Sequence, residues 1–204
     1  MSTNRYPLLF TSHAGLPILA EILHRDGHSA TVYDDNVTPF THAFLDGASM
    51  VGISIETLWA TRGYEIARMA REKGIPVVFG GAHATLNPDD ALQHGDYVVR
   101  NEGEKTFPDL LDALEKGRPL EQIQGLSFNP NGGPPRHNPA RPFLTTDELD
   151  EVPWPRLDTI HHWHSSANFL NRFIYFTMMS RGCPFNCNFC SITAEFGKAY
   201  RNRS

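Results

Sequence analysis

From the amino terminus to about Gly117, short apolar runs alternate with amphipathic stretches, the pattern of βα units laid around a parallel sheet. Tyr6 to Phe10 reads as a weak first strand, after which Leu16, Leu19, Ala20 and Leu23 recur at helical spacing until Gly27. Ala30 to Tyr33 reads as a second strand running into the polar turn Asp34-Asp35-Asn36. Met50 to Ile55 is apolar on both faces, as a central parallel strand is. A helix through Tyr64, Ala67, Met69 and Ala70 ends at Gly74, and Pro76 to Phe79 forms the fourth strand. Asn87 and Pro88 open a short helix that Gly95 closes. Tyr97 to Val99 is the fifth strand. Thr106 is expected to cap a last helix, buried through Phe107, Leu110, Leu111 and Leu114 and ended by Gly117. The pattern predicts an α/β, Rossmann-like, doubly wound parallel sheet of five strands over residues 1–117.

Beyond Gly117 the pattern changes. Gly125 to Phe128 reads as a strand leading into the turn Asn129-Pro130-Asn131-Gly132-Gly133, and the density of Pro and Gly excludes a long helix up to Pro142. Leu149 to Leu157, broken by Pro153 and Pro155, reads as an extended connector. Residues 118–170 are therefore expected to be a linker containing a hairpin. Phe173 to Met179 is a strand that opens a second unit over residues 171–204, which the sequence only begins.

Composition narrows the class. A net charge of −5 offers no basic stripe for phosphates, so a nucleic-acid partner is not expected. No apolar run approaches the roughly 18 to 20 residues of a membrane span, and Met1 to Pro7 lacks the apolar core of a secretory signal. The expected compartment is the cytoplasm, where thiols stay reduced.

In open parallel sheets, ligands sit in the crevice beyond the strand C-termini. Ser54, Glu56 and Thr57, then Gly80, Gly81, Ala82 and His83, then Asn101 to Glu104 with Glu102, all fall along that edge. Each alone has a plainer reading. Gly80-Gly81 can simply make a tight turn, His83 can be a satisfied loop histidine, and Glu102 and Glu104 can face the dipole of the following helix. No Gly-x-Gly-x-x-Gly opens a helix, so this is not a dinucleotide fingerprint.

All three cysteines lie in eight residues, Cys183-Pro184-Phe185-Asn186-Cys187-Asn188-Phe189-Cys190. Three thiols cannot form a disulfide framework without one left over. Three soft ligands in one loop point to metal. A 4Fe-4S cluster has four irons to ligate, so three thiolates leave one iron open for an exogenous ligand. The competing reading is a Cys3His zinc site completed by His161, His162 or His164, although structural zinc loops favour paired Cys-x2-Cys knuckles.

Cys183-x3-Cys187-x2-Cys190, with Phe189 before the last cysteine and Ser180-Arg181-Gly182 ahead of the first, resembles the cluster loop of radical S-adenosylmethionine enzymes. The upstream domain resembles the cobalamin-binding domain of the large methylating class of those enzymes. That likeness rests on Gly15 to Ala20, Val51 to Ser54, Gly80 to Thr85 and Arg100 to Glu104 with Thr106-Phe107, and the linker Asp147 to Pro155 is similar too. The resemblance implies that Cys183, Cys187 and Cys190 ligate a 4Fe-4S cluster, that the open iron chelates S-adenosylmethionine with Phe189 near its adenine, and that a 5′-deoxyadenosyl radical results. It implies cobalamin as methyl donor, with Ser54, Glu56, Thr57, Gly80, Gly81, Ala82, His83 and Glu102 as candidate corrin-facing residues. The expected activity is methyl transfer to an unreactive carbon of a small-molecule or lipid-like substrate, driven by a one-electron reductant such as flavodoxin or ferredoxin. Two other readings stand beside it: a radical enzyme whose Rossmann-like domain holds no cofactor, and a non-catalytic cobalamin module with a structural metal loop. The Asp-x-His-x-x-Gly motif that places an axial histidine on cobalt in other cobalamin proteins is absent. Thr11-Ser12-His13-Ala14-Gly15 is its distant echo, with His13 as the ligand candidate. The second unit is expected to supply only the first strand of a partial (β/α) barrel, with Arg201 and Arg203 solvated.

Overall fold

The computed structural model describes residues 14–35, 38–162 and 177–204. The expected strand at Tyr6 to Phe10, residues 173–176 of the strand opening the second unit, and His13 and His164 lie outside the described residues. In chain order the elements are α1 (Gly15–Arg25), β1 (Val51–Ser54), α2 (Ala60–Glu72), β2 (Val77–Gly80), α3 (Ala82–Leu86), α4 (Pro88–His94), β3 (Tyr97–Val99), α5 (Gly103–Lys116), β4 (Leu126–Phe128), β5 (Arg136–His137), α6 (Thr146–Glu151), β6 (Ser180–Arg181), α7 (Ile192–Phe196) and β7 (Arg201–Asn202).

The α/β, Rossmann-like architecture stands, but the sheet is mixed rather than wholly parallel. Its order is β1-β2-β3-β4-β5. β1, β2 and β3 run parallel, while β4 pairs antiparallel with β3 and β5 antiparallel with β4. The hairpin expected within the linker thus extends the same sheet. Ala30 to Tyr33, expected as a strand, makes one parallel bridge, Val32 to Ile160, through Val32 N–H to Thr159 O (2.8 Å) and His161 N–H to Val32 O (2.8 Å). Its partner lies over a hundred residues downstream, a pairing that local alternation cannot announce.

Both faces of the parallel strands are covered, which is why these strands read as continuous apolar runs. Val77, Phe79 and Val98 join Ile53, Ile66, Ala70 and Leu92 in one core cluster. Val78 and Val99 point the other way, into a second cluster with Leu110, Ala113, Leu126 and Phe128. A third cluster packs Ala14 and Ile18 of the α1 region against Leu144, Leu149 and Val152.

Two local expectations change. Thr106 does not cap α5, which begins three residues earlier after Glu102. Thr106 is buried within the helix, donating its hydroxyl to Gln124 O (3.1 Å) and accepting from Arg141 Nε (2.9 Å). The connector expected to be extended contains α6, started by a capping box in which Thr145 Oγ1 accepts from Glu148 N and Glu148 accepts from Thr145 N. Its buried Leu149 holds the turn against α1, and the chain leaves the helix at Val152, directly before Pro153.

Candidate cofactor cleft and cysteine loop

At the C-terminal ends of the three parallel strands lies a cleft of about 220 Å³. Ser54 and Glu56 reach it from the end of β1, Gly80, Gly81 and Ala82 from the turn after β2, and Asn101, Glu102 and Glu104 from the β3–α5 junction. Leu16 and Leu19 of α1, Val99 and Phe107 supply apolar wall. Six of the eight cofactor-facing candidates therefore share this cleft. Gly81 has φ 90°, and a Cβ there would lie 2.7 Å from Ile55 O and 2.9 Å from Ser54 Oγ. Glycine is required to pass the chain this close behind β1.

Thr57 and His83, the other two candidates, do not line the described cleft. His83 lies on α3 and is buried, its Nδ1 3.1 Å from Thr57 Oγ1 and its Nε2 3.0 Å from Tyr64 Oη and 3.1 Å from Asp90 Oδ2. Tyr64 also donates to Asp90 Oδ2 (2.5 Å), and the two hydrogen bonds, Tyr64 first, hold the Asp90 carboxyl below its usual range. An imidazole with both nitrogens partnered this way anchors α3 against α2 and α4.

Glu102 has a larger role than expected. Its side chain is only 5% exposed. Oε1 accepts from Arg201 Nη1 (2.9 Å) and Arg181 Nη1 (3.2 Å), and Oε2 from Leu144 N (2.6 Å). Arg181 also donates to Glu104. Arg201 continues to Leu144 O (2.6 Å) and Phe196 O (2.6 Å). Arg203 donates to Val152 O and lies 4.1 Å over the Trp154 ring. The expectation of solvated Arg201 and Arg203 fails, because both are buried. Alternation in an extended segment puts Arg201 and Arg203 on one face, and that face meets the α/β domain.

These arginines flank the cysteine loop. β6 and β7 pair antiparallel, with Arg181 opposite Arg201, and the loop Cys183 to Cys190 and helix α7 run between them. Cys183 N–H reaches Gly197 O (3.1 Å), and Cys190 N–H reaches Cys187 O (3.2 Å). All three thiols are free, Cys187 exposed and the others half-buried. Phe185 and Phe189 are exposed, Phe189 at 89%. Among the described residues, no three His, Cys, Asp or Glu side chains are gathered closely enough to hold a metal ion. His161 is stacked on His162 (3.8 Å) and packs against Tyr33 and Phe44, so neither described histidine joins the cysteines in such a group.

The same segment also closes the cleft. Met178, Arg181, Glu195 and Phe196 line it opposite the strand ends. Asn101, at φ 61°, donates its Nδ2 to Ala194 O and Glu195 O (both 2.9 Å) and so holds α7 over the cleft. The sequence reading missed Glu195 and Phe196 as cleft residues, and it placed Asn101 at the ligand edge and Arg181 ahead of the cysteines without giving either a part in closing the cleft. The available signal was positional: Arg181 immediately precedes Gly182 and the cysteines, and Asn101 opens a short polar run at a strand end.

A Rossmann-like sheet with a glycine-turned cleft at its strand ends defines an α/β cofactor-binding domain. Residues 8–111, just over half of the chain, match the B12 binding domain family, and the chain belongs to that family. It is 37% identical over 203 residues to the uncharacterized methyltransferase PH0819 of Pyrococcus horikoshii, an alignment taking in 93% of this chain and 42% of that protein. Its fold matches that of the radical S-adenosylmethionine methyltransferase TsrM from Kitasatospora setae, solved with cobalamin and a [4Fe-4S] cluster bound. The TM-score is 0.74 at 20% identity, covering 100% of this chain and 43% of that one. It matches likewise the cobalamin-dependent S-adenosylmethionine radical enzyme OxsB, solved with aqua-cobalamin and S-adenosylmethionine. There the TM-score is 0.76 at 21% identity, covering 98% of this chain and 28% of that one. The chain thus spans less than half the length of these proteins. No described helix is long and apolar enough to cross a membrane.

Proposed function

We propose that this chain binds cobalamin in the cleft between the strand ends and the β6–α7 segment, carries a 4Fe-4S cluster on Cys183, Cys187 and Cys190, and belongs to a radical S-adenosylmethionine methyltransferase. One observation carries the reading: the cleft is walled on one side by the B12-type domain and on the other by the segment that holds the cysteines. The residues present fit a flat macrocycle. Gly80 and Gly81 bring bare backbone to the cleft, and Leu16, Leu19, Val99 and Phe107 offer apolar contact. A group as large as a corrin extends beyond the described cleft, whose volume is below the roughly 300 Å³ of the smaller ligand pockets.

The donor set fits an iron–sulfur cluster in kind, three unpaired thiols in one loop. Once bound, these groups would supply one-electron cleavage of S-adenosylmethionine and a methyl group for transfer. The chain's own contribution is to fix the cysteine loop to the cleft through Arg181, Arg201 and Asn101, and to leave Phe189 exposed for an adenine to stack on.

Anaerobic reconstitution with iron and sulfide tests the cluster. The chain should take up about four irons with the broad visible absorption of an iron–sulfur cluster, and Cys187→Ala should lose both. Zinc retained with no iron bound would sink the radical reading. Titration with hydroxocobalamin tests the cleft, with saturable binding at micromolar concentration as the expected result, and no binding would remove the methyltransferase assignment.

A further inference from the structure

Glu195 stands apart from the other acids of the cleft. Glu102 and Glu104 are neutralised by Arg181 and Arg201. Glu195 lines the same cleft from α7, and its carboxyl has no cation or hydrogen-bond donor among the described residues. It faces Glu56 from the end of β1. Arg181, the one arginine lining the cleft among the described residues, is committed to Glu102 and Glu104. Asn101 fixes the backbone of residues 194 and 195 but contributes no charge. Burial, reinforced by the Glu56 charge, pushes the Glu195 carboxyl up to about 7. Near neutral pH an acid in that setting is divided between its two forms, and a partner that accepts a hydrogen bond from it favours the neutral one.

We propose that Glu195 is a cofactor-contacting residue that meets the corrin as a neutral acid, donating its O–H to a carboxamide carbonyl on the ring's edge. The proposal rests on the cobalamin reading above. It assigns to the cysteine-bearing segment a direct part in holding the cofactor of the neighbouring domain. The amide groups around a corrin offer carbonyl acceptors, and a protonated carboxyl donates where a carboxylate can only accept. Ionisation would place a second negative charge beside Glu56 in a half-buried cleft, with no cation paired to Glu195 among the described residues.

The sign of the pH dependence follows. Only the neutral form binds, so affinity is full below about 7 and is lost as pH rises through that value. For a single group titrating at about 7, the dissociation constant should rise roughly tenfold between pH 6 and pH 8. The probe is cyanocobalamin, titrated into the whole chain and followed by corrin absorbance and by ultrafiltration. Glu195→Gln keeps a donor without a titration, and its affinity should match the unmodified chain at pH 6 and stay flat to pH 8. Glu195→Ala removes the donor and should bind several-fold more weakly at pH 6, again without pH dependence. Unmodified affinity that does not change between pH 6 and pH 8 overturns the inference while leaving the cobalamin reading intact. A Glu195→Gln variant that tracks the unmodified pH dependence does the same. Absence of corrin binding at every pH overturns both together. Should Glu195→Gln fail to fold, the pH series on the unmodified chain decides alone.

Discussion

Glu102→Ala is expected to destabilise this chain by about 3–5 kcal/mol, the usual cost of removing one partner from a buried charge network. Glu102 is the only carboxylate contacted by both Arg181 and Arg201 among the described residues, and all three side chains are under a tenth exposed. Its removal leaves Arg201 buried with only carbonyl partners, Leu144 O and Phe196 O, and orphans Leu144 N. For a chain of this size the midpoint of thermal unfolding should fall by roughly 6–20 °C, read by circular dichroism. Arg201→Met should cost less, because it withdraws a buried charge and leaves Glu102 paired with Arg181. A Glu102→Ala loss below 1 kcal/mol would mean that water, not the arginines, satisfies the carboxylate.

Gly182→Ala is expected to lower the iron uptake proposed for the cysteine loop at least tenfold. Gly182 sits at φ 82°, and a Cβ there would lie 2.0 Å from Ala199 O and 2.9 Å from its carbonyl carbon. The obstacle is backbone of the facing arm of the hairpin, which cannot rotate aside. Left-handed backbone alone costs an alanine about 1–2 kcal/mol, and the clash adds to it. Every 1.4 kcal/mol is a factor of ten in population. Iron bound after anaerobic reconstitution should therefore fall by at least an order of magnitude. Hydrogen exchange should show the Cys183 and Arg203 amides, bonded to Gly197 O and Met179 O, losing protection while β2 and β3 keep theirs. Full iron content in this variant would show that the hairpin is dispensable for the loop.

The elements legible in advance were those decided within a few residues of themselves. β1, β2 and β3 are apolar on both faces because helices cover both, and the run is visible without knowing which helix covers which. α1, α2 and α5 carry periodic apolar positions, and Gly117 ends α5 in the left-handed conformation that favours glycine. Ser54, Gly80 and Glu102 were placed at a ligand edge because a strand's C-terminal end is marked by its own sequence. Thr106 misled because a threonine three residues into a helix looks like a cap, whereas its hydroxyl bonds across to Gln124 and Arg141. The surroundings of His83 were equally hidden, because its neighbours in sequence say nothing about the Tyr64 and Asp90 that meet its Nε2.

By itself, then, the sequence determined the α/β class, the three parallel strands, the edge at which a cofactor would lie and the three thiols suited to metal. Those follow from local periodicity, strand polarity and the chemistry of cysteine. The tertiary structure alone decided that β4 and β5 join the sheet, that α7 closes the cleft, and that Arg181 and Arg201 meet on Glu102. Each of those pairs residues far apart along the chain, by 29 for β3 with β4 and by 99 for Arg201 with Glu102. A charged side chain carries no local sign of whether it will be solvated or buried against its opposite, and only packing brings Arg201 to Glu102 and away from water.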